Sequence, residues 1–206
     1  MISMFIDTSL SDVSIALVKD GKLLSQINNS IPGEHSIYVT KYIDDILKEN
    51  SLSPSSVDEI IVACGPGSFT GIRIGVTIAK MFAYLQNIRI VSITTLKARV
   101  IGEHSKYILS KIDAKHDNYY IGLYDENYNT ILEEFASIDK INKLIEEYSP
   151  LVVDPSKAYN IEEIVKYTKD FPSENPHAVN PIYLKLPEAM EKNDKRNWKR
   201  RVKPLR

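Results

Sequence analysis

The first 28 residues alternate between apolar runs and short polar breaks in a pattern typical of β-strands. Apolar residues fill "MFID", which ends at Asp7, and "DVSIALV" then alternates apolar and polar positions up to Val18. The dipeptide Asp20-Gly21 is a hairpin signal, and "KLLSQI" runs back after it. The pattern therefore predicts a meander of three strands.

The same pattern returns 106 residues later. The segments "FIDTSLSDVSIALVKDGKLL" and "KIDAKHDNYYIGLYDENYNT" share an Ile-Asp turn at Asp7 and Asp113, the alternation that follows, and a second polar turn at Asp20 and Glu126. A shared turn, alternation and second turn at one constant offset indicate an internal duplication.

Helical periodicity follows each meander. Residues 36–49 place apolar side chains on one face and charged ones opposite, and a strand, a glycine-rich stretch and a long helix come next. A strand at "IRIVSI" and a short helix over 95–103 complete the first unit. The second unit repeats this order in shortened form, with helices at 139–148 and 161–168 around a strand "LVVD", and "PIYLK" from Pro181 adds a short strand.

Two βββαβα units in tandem predict an α/β fold of two similar lobes. Each lobe is expected to be a mixed sheet covered by helices, as in actin, sugar kinases and Hsp70-type ATPases. The predicted organisation is an N-terminal lobe over 1–103, a shortened second lobe over 104–191 and a basic tail over 192–206.

The composition narrows the class of protein. The single Cys64 excludes a disulfide framework within the chain and fits a reducing compartment. No apolar run approaches the roughly 20 residues of a transmembrane helix, and no basic segment of a signal peptide precedes Asp7. We therefore expect a cytoplasmic protein that does not bind membranes.

Charge is distributed unevenly along the chain. Residues 192–206 contain eight basic residues and one acidic residue, which gives this tail a net charge of +7. Residues 1–191 consequently carry −8, because the whole chain carries −1. Such a tail is either a solvated terminus or an arm that meets nucleic acid or an acidic partner surface.

The stretch "ACGPGSFTGIRIGVTIAK", which begins at Ala63, joins a predicted strand to a predicted helix. Its spacing fits neither common phosphate-binding fingerprint. Gly71 is followed by Ile72 and Arg73 rather than by the Lys of a P-loop, and the later strand offers no acid for a dinucleotide ribose. Amides at the start of the helix would still favour an anion.

The first hairpin and the glycine-rich loop supply the candidate nucleotide site. In the two-lobed architecture the tip of the first hairpin faces the cleft between the lobes. The candidate phosphate- or nucleotide-facing residues are Asp7, Thr8, Ser9, Gly65, Gly67 and Ser68. For Asp7 the alternative is a carboxylate that only closes a turn at the end of a strand.

The helix after the glycine-rich loop carries small residues at every fourth position, beside a polar stripe. A strip of small residues lets another backbone approach closely, so we expect a partner interface there, shared with helix 36–49. The predicted interface residues are Gly71, Arg73, Gly75, Ala79, Lys80 and Ala83, with Val39 and Ile43 of the preceding helix. The alternative is that the strip packs inside the lobe against helix 36–49.

The sequence predicts no catalytic residues and no metal site. None of the four histidines forms a His-x-x-x-His pair, and Cys64 has no partner at metal-ligand spacing. Ser68 does not stand in the Gly-x-Ser-x-Gly elbow of serine hydrolases. Asp7 and Asp113 are the remaining candidates for a Mg²⁺ ligand or a general base.

Four segments of the chain occur in the order seen in the TsaB family, also called YeaZ. They are "IDTS" at 6–9, "GPGSFTGIRIG" at 65–75, "IDAK" at 112–115 and "PIYLK" at 181–185. The resemblance covers essentially the whole chain, and "GPGSFTG" with the Arg-x-Gly that follows it is quite specific to the family. The chain departs from the family at positions 115 and 185, where Lys stands and Arg is expected.

The resemblance implies an actin/Hsp70-like fold and a part in making N6-threonylcarbamoyladenosine in tRNAs that read ANN codons. It implies a non-catalytic partner of the catalytic subunit TsaD, in a complex that includes the ATPase TsaE, uses ATP and Mg²⁺ and acts on tRNA. When TsaD is absent, a second copy of the chain is the expected partner. The alternative is an enzyme in its own right, either a nucleotide hydrolase of this fold or a peptidase.

Overall fold

The computed structural model describes residues 1–30 and 35–185, with side chains from Tyr38 onward in the first helix. The first half of the chain follows the predicted order. Its elements are β1 (Ile2–Asp7), β2 (Asp12–Lys19), β3 (Lys22–Ser30), α1 (His35–Glu49), β4 (Glu59–Ala63), α2 (Phe69–Gln86), β5 (Arg89–Ile93) and α3 (Thr95–Val100).

The second half repeats that order with fewer elements. Its elements are β6 (Tyr107–Asp113), β7 (Asn118–Asp125), β8 (Thr130–Ser137), α4 (Ile138–Tyr148), β9 (Leu151–Val152) and α5 (Ile161–Thr168). Among the described residues, no strand corresponds to β5 and no helix of the length of α2 follows β9.

Two mixed sheets form the framework. The first sheet has the order β3-β2-β1-β4-β5, in which an antiparallel meander continues into two parallel strands. The second sheet, β8-β7-β6-β9, repeats the first four positions of that order. Asp7 pairs with Ser14 in the first hairpin and Asp113 with Tyr119 in the second, so the second hairpin tip is one residue shorter. The shared topology confirms the predicted duplication.

Two helices are exchanged between the sheets. Leu96 of α3, from the first half of the chain, joins the core of the second sheet around Ile108. Ile164 of α5, from the second half, joins the core of the first sheet around Phe5 and Ile61. Helices α1 and α2 cover the other face of the first sheet, and α4 covers the other face of the second. The two halves are therefore interlocked through apolar packing.

The ends of α2 follow from local chemistry. Ser68 caps the helix by accepting a hydrogen bond from the amide of Gly71 at 3.2 Å, which satisfies one free donor of the first turn. Asn87 ends it in the left-handed conformation, with φ of 53°, a role that Asn tolerates well. These two residues place the glycine-rich loop directly at the start of the helix.

Three elements differ from the sequence prediction. Helix α3 ends at Val100 rather than at 103, because Gly102 takes a positive φ of 92° and turns the chain. Strand β9 keeps two residues of "LVVD". The segment 181–185 is not a strand, since it makes no ladder with either sheet.

The architecture is the duplicated, two-lobed α/β fold of the actin/Hsp70-like type, as the repeat predicted. None of the described helices is long and apolar enough to cross a membrane.

Candidate functional site

The start of the first hairpin tip, from Asp7 to Ser9, is buried. The exposed fractions of Asp7, Thr8 and Ser9 are 1%, 0% and 1%. The Thr8 hydroxyl donates to the carbonyl of Gly71 at 2.7 Å, and the Ser9 carbonyl accepts from the amide of Ser68 at 2.6 Å. The Ser9 hydroxyl shares a hydrogen bond of 2.8 Å with the Thr95 hydroxyl at the start of α3, so the polar groups of Thr8 and Ser9 are bonded within the chain.

The carboxylate of Asp7 is enclosed by its own chain. Its Oδ1 accepts from the Ser9 amide at 2.7 Å, and its Oδ2 accepts from the hydroxyl of Tyr159. Burial raises the pKa of Asp7, and the hydrogen bonds from Ser9 and Tyr159 act against that rise. Burial and the neighbouring Asp7 also raise the pKa of Tyr159 well above its ordinary value, so the phenol stays protonated and donates a hydrogen bond to the carboxylate.

Arg99 holds the loop that carries Tyr159. Its guanidinium donates to the carbonyls of Asp154, Pro155 and Lys157 and lies 5.6 Å from the centre of the Tyr159 ring. Arg99 belongs to α3 and is only 8% exposed. Arg99, from the first half of the chain, thus fixes the loop of the second half that places Tyr159 against Asp7.

The glycines of the loop serve close packing against the same hairpin tip. A Cβ atom at Gly67 would overlap the carbonyl of Ser9, and one at Gly71 would overlap the carbonyl of Thr8. A Cβ atom at Gly75 would overlap the Thr8 hydroxyl. These residues are glycine because the loop and the first turns of α2 touch the hairpin directly, through its backbone at Gly67 and Gly71 and through the Thr8 side chain at Gly75.

The segment 181–185, called the strap below, crosses over the loop. The amide of Ile182 donates to the carbonyl of Cys64 at 2.7 Å, and its own carbonyl leaves no room for a Cβ atom at Gly65. Tyr183 stacks on Phe69 with ring centres 4.1 Å apart and planes 3° from parallel.

Arg73 completes the attachment of the strap. Its Nε donates to the Tyr183 hydroxyl at 2.9 Å, and the guanidinium lies 5.2 Å and 5.8 Å from the Phe69 and Tyr183 ring centres. The strap also joins the lobes, because Ile182 packs on the core of the first sheet and Leu184 on that of the second.

The six predicted nucleotide-facing residues do lie together, but the site is filled by the protein itself. The tip residues Asp7, Thr8 and Ser9 have intrachain partners, and the strap covers Gly65. Of the six, Ser68 alone remains exposed, at the outer rim of the loop.

The strip of small residues on α2, predicted to face a partner, faces the interior of this chain. Gly71, Gly75, Ala79 and Ala83 are all buried. The two glycines meet Thr8 and the two alanines belong to the core beneath α1 and α2, because small residues here let the helix lie close to the hairpin and sheet. The alternative, packing inside the lobe, is the correct one, although the glycines face the hairpin tip rather than α1.

The two predicted interface residues of α1 are also core residues. Val39 and Ile43 are 0% and 6% exposed and pack in the core of the first sheet. Their side chains therefore face this core and not the outer surface of α1.

The outer face of α2 is the part left open. Arg73, Met81, Tyr84 and Leu85 are exposed, and Lys80 is half-buried. The Lys80 ammonium donates to the carbonyl of His177 at 3.3 Å. Arg73 and Lys80 are thus the two predicted interface residues that the structure leaves accessible.

The described part of the chain shows neither a cluster of metal ligands nor a reactive thiol. Within it, no three His, Cys, Asp or Glu side chains lie close enough together to hold a metal ion. Burial raises the pKa of Cys64 to about 12, which keeps the thiol protonated and unreactive. The basic tail over 192–206 lies outside the described residues.

Sequence reasoning missed three residues that close the site: Arg99, Tyr159 and Tyr183. Arg99 stands in a short helix and Tyr159 in an irregular stretch, so no local pattern singles them out. Tyr183 belongs to the "PIYLK" segment, which carried the family resemblance but no assigned role. Tyr183 meets Arg73 from 110 positions away in the sequence, and Tyr159 meets Asp7 from 152 positions away.

Comparison with known proteins identifies the family. The family model of TsaD, tRNA N6-adenosine threonylcarbamoyltransferase, matches residues 24–191. The tRNA threonylcarbamoyladenosine biosynthesis protein TsaB of Bacillus subtilis is 30% identical in an alignment that covers 91% of this chain and 95% of that protein. TsaB of Escherichia coli is 31% identical over 130 residues, or 61% of this chain and 56% of that protein.

A solved structure agrees in fold. YeaZ from Pseudomonas aeruginosa superposes with a TM-score of 0.72 at 21% identity, covering 89% of this chain and 100% of that one. The matched lengths show that the likeness extends through both lobes. The chain belongs to the TsaB (YeaZ) family of tRNA threonylcarbamoyladenosine biosynthesis proteins.

Proposed function

We propose that this chain is a non-catalytic subunit of the complex that makes N6-threonylcarbamoyladenosine in tRNAs that read ANN codons, where it docks and supports the catalytic subunit TsaD. The observation that carries the proposal is the closed carboxylate of Asp7. A Mg²⁺-nucleotide needs that carboxylate to be open to the cleft, and here it is capped by the Tyr159 hydroxyl and the Ser9 amide.

The glycine-rich loop supports the same conclusion. Its glycines contact the hairpin backbone, and the strap lies across it. A loop used in this way stabilises the lobe, and the amide of Ser68 is taken up by the Ser9 carbonyl. On this proposal the ATP and Mg²⁺ of the reaction are used by the complex, with TsaE as its ATPase, and not by this chain.

The outer face of α2 is the proposed docking surface for TsaD. It carries exposed apolar side chains beside Arg73 and Lys80, and α1 lies next to it. Exposed apolar side chains grouped with cations are typical of interfaces rather than of free surface. When TsaD is absent, the same face would pair two copies of this chain.

Two measurements on the purified chain test this function. We expect no hydrolysis of ATP with Mg²⁺ above background and no peptidase activity, and we expect the chain to capture purified TsaD in a pull-down. Metal-dependent turnover by the chain alone that disappears in Asp7→Ala would establish the alternative, a nucleotide hydrolase of this fold. Failure to bind TsaD would remove the role as its partner.

The basic tail is the proposed contact with tRNA. Its net charge of +7 would release counterions from the phosphate backbone, so the contribution should shrink as salt rises. We expect deletion of 192–206 to leave the melting temperature unchanged and to weaken tRNA binding by the complex at low salt. Equal tRNA affinity of the full-length and truncated complexes at low salt would show that the tail is only a solvated terminus.

A further inference from the structure

Two aromatic rings, Phe69 and Tyr183, lie stacked at the surface and form what is called the aromatic platform below. Their ring centres are 4.1 Å apart and their planes are 3° from parallel. Neither ring belongs to the four apolar cores of the described residues. On the strap, Ile182 and Leu184 pack on the cores of the two sheets, whereas Tyr183 between them is 38% exposed. The platform therefore contributes a flat ring to the surface rather than to a core.

Arg73 gives the aromatic platform a positive edge. Its Nε donates to the Tyr183 hydroxyl at 2.9 Å, and its guanidinium lies 5.2 Å from the centre of the Phe69 ring. Arg73 is exposed, and its terminal nitrogens donate to no described residue. A phosphate beside the rings could therefore accept hydrogen bonds from the guanidinium while the rings keep their arrangement.

The surroundings of the aromatic platform are basic, although the body of the chain is acidic. Helix α2 and the strap contain Arg73, Lys80 and Lys185 and no acidic residue, whereas residues 1–191 as a whole carry −8. The basic tail begins at Lys192, nine positions after Tyr183, and nine residues span at most about 30 Å. The tail and the platform can therefore contact the same polyanion.

We propose that the aromatic platform stacks on an unpaired base of tRNA while Arg73 binds a neighbouring phosphate. This inference rests on the proposed function, in which the tail contacts tRNA, and adds a base contact to it. Proteins that bind unpaired RNA combine aromatic rings, which stack on bases, with cations that follow the backbone. The exposed ring of Tyr183, the guanidinium of Arg73 and the tethered tail supply this combination.

The position of the aromatic platform leaves room for TsaD. The exposed apolar residues of α2 are Met81, Tyr84 and Leu85, which begin twelve positions after Phe69, about 18 Å along the helix axis. The platform lies at the opposite end of α2, beside the glycine-rich loop. A base on the platform and a partner on the far end of the helix can therefore be bound at the same time.

The test uses the full-length chain in complex with purified TsaD and an unmodified tRNA transcript that reads an ANN codon. Tyr183→Leu should weaken binding of the transcript about five- to a hundredfold, which is the loss expected for one stacked base. Tyr183→Phe keeps the flat ring and should bind like the wild type. Ultraviolet irradiation of the wild-type complex should cross-link the transcript to a peptide that contains Tyr183.

The salt dependence of binding separates stacking from charge. Loss of a stacked base leaves the number of phosphate contacts unchanged, so Tyr183→Leu should lower the affinity by the same factor at every salt concentration. Arg73→Gln should instead reduce the slope of log affinity against log salt by about 0.7–0.9, the value of one phosphate contact. Equal slopes in Arg73→Gln and the wild type would remove Arg73 from the proposed site.

Two variants serve as matched controls. Ile182→Ala weakens the packing of the strap but keeps the Tyr183 ring, which Phe69 still holds. Tyr148→Leu removes a ring of the second lobe that meets Tyr107 beside a lysine, and thus an aromatic pair with a cation elsewhere on the chain. Both should bind the transcript like the wild type, and all variants should bind TsaD unchanged.

Three outcomes overturn the aromatic platform and leave the proposed function standing. Wild-type affinity for the transcript in Tyr183→Leu would show that no base stacks on this ring. An equal loss in Ile182→Ala would assign the effect to the attachment of the strap. Loss of TsaD binding in Tyr183→Leu, with no cross-link to the transcript, would make the platform a protein contact.

Failure of the wider tRNA contact has a different signature. If the wild-type complex binds the transcript no more tightly than TsaD alone, the platform and the tail contact fail together. The proposed role of the chain as the partner of TsaD would still stand, because the pull-down measures it separately.

Discussion

The two hairpin tips have one ancestral pattern and opposite surroundings. In the first, Asp7 is 1% exposed and both of its oxygens accept hydrogen bonds from this chain. In the second, Asp113 is exposed, and its Oδ1 accepts from the amide of Lys115 at 2.8 Å within its own turn. Both carboxylates bond to the amide two residues on, so the local turn chemistry is shared. The two carboxylates differ in the residues that cover them.

Part of the cover of the first tip, the glycine-rich loop and α2, comes from elements that the second unit lacks, and Tyr159 completes it. The glycine-rich loop and α2 follow β4, whereas β9 leads through 153–160 directly to α5. The second tip therefore stays open, and Lys115, His116 and Asp117 around it are exposed with positive φ. The comparison teaches that two hairpins of the same pattern become closed or open according to what packs on them: the glycine-rich loop, α2 and Tyr159 cover the first, and none of these covers the second.

The largest effect should come from breaking the contact of α2 with the first tip. In Gly71→Ala the new methyl group would overlap the Thr8 carbonyl, so hairpin and helix must move apart. Overpacking of this kind typically costs about 1–3 kcal/mol, and a backbone obstacle places this variant at the upper end. Urea denaturation should show the loss of unfolding free energy.

A control for this variant lies one residue earlier. Thr70 is exposed in the same turn of α2, and Thr70→Ala should change the free energy of unfolding by less than about 0.5 kcal/mol. Equal stability of the two variants would mean that α2 does not rest on the hairpin tip.

The pH dependence of stability separates Asp7 from a carboxylate that faces water. Burial raises the pKa of Asp7 in the folded state above its ordinary value of 3.8. The contribution of Asp7 to the free energy of unfolding is therefore fully present below pH 3.8 and is lost as the pH rises through the folded-state pKa. The stability of the wild type relative to Asp7→Asn should therefore fall as pH increases from about 3.8. Thermal denaturation of both proteins across this range measures the difference.

Asp154 provides a comparison of opposite sign. Hydrogen bonds from the amide and side chain of Ser156 lower its pKa, so its contribution is present above 3.8 and is lost as pH falls. Wild type relative to Asp154→Asn should gain stability with rising pH. The same direction of change for both aspartates would contradict the closed environment of Asp7.

Releasing the strap should have an intermediate effect. Tyr183→Ala removes the stack on Phe69 and the hydrogen bond from Arg73, which should cost about 1–2 kcal/mol. Tyr183→Phe keeps the stack and should lose only about 0.5–1.5 kcal/mol. Limited proteolysis should cut Tyr183→Ala faster than the wild type near the strap. Identical cleavage of all three proteins would show that Tyr183 does not fasten the strap.

The lobes and their order could be predicted from the sequence because strand alternation, turns and helical periodicity are local. The closure of the site could not. Tyr159 meets Asp7 from 152 positions away, and α3 and α5 pack on each other's sheets, which no local pattern encodes. The orientation of α2 was missed for a related reason: a strip of small residues predicts a close neighbour but does not say whether that neighbour is a partner or the chain's own hairpin.

The smallest effect should come from the open tip. Asp113→Ala removes the hydrogen bond to the Lys115 amide, but water can replace that bond at once because the turn is exposed. The free energy of unfolding should therefore drop by less than about 1 kcal/mol. Asp7→Ala, which removes the same local bond, also leaves the Tyr159 hydroxyl without its acceptor and should cost about 1–3 kcal/mol. Urea denaturation of the two variants side by side measures how much of the role of Asp7 comes from enclosure, and equal losses would show that the turn alone accounts for both residues.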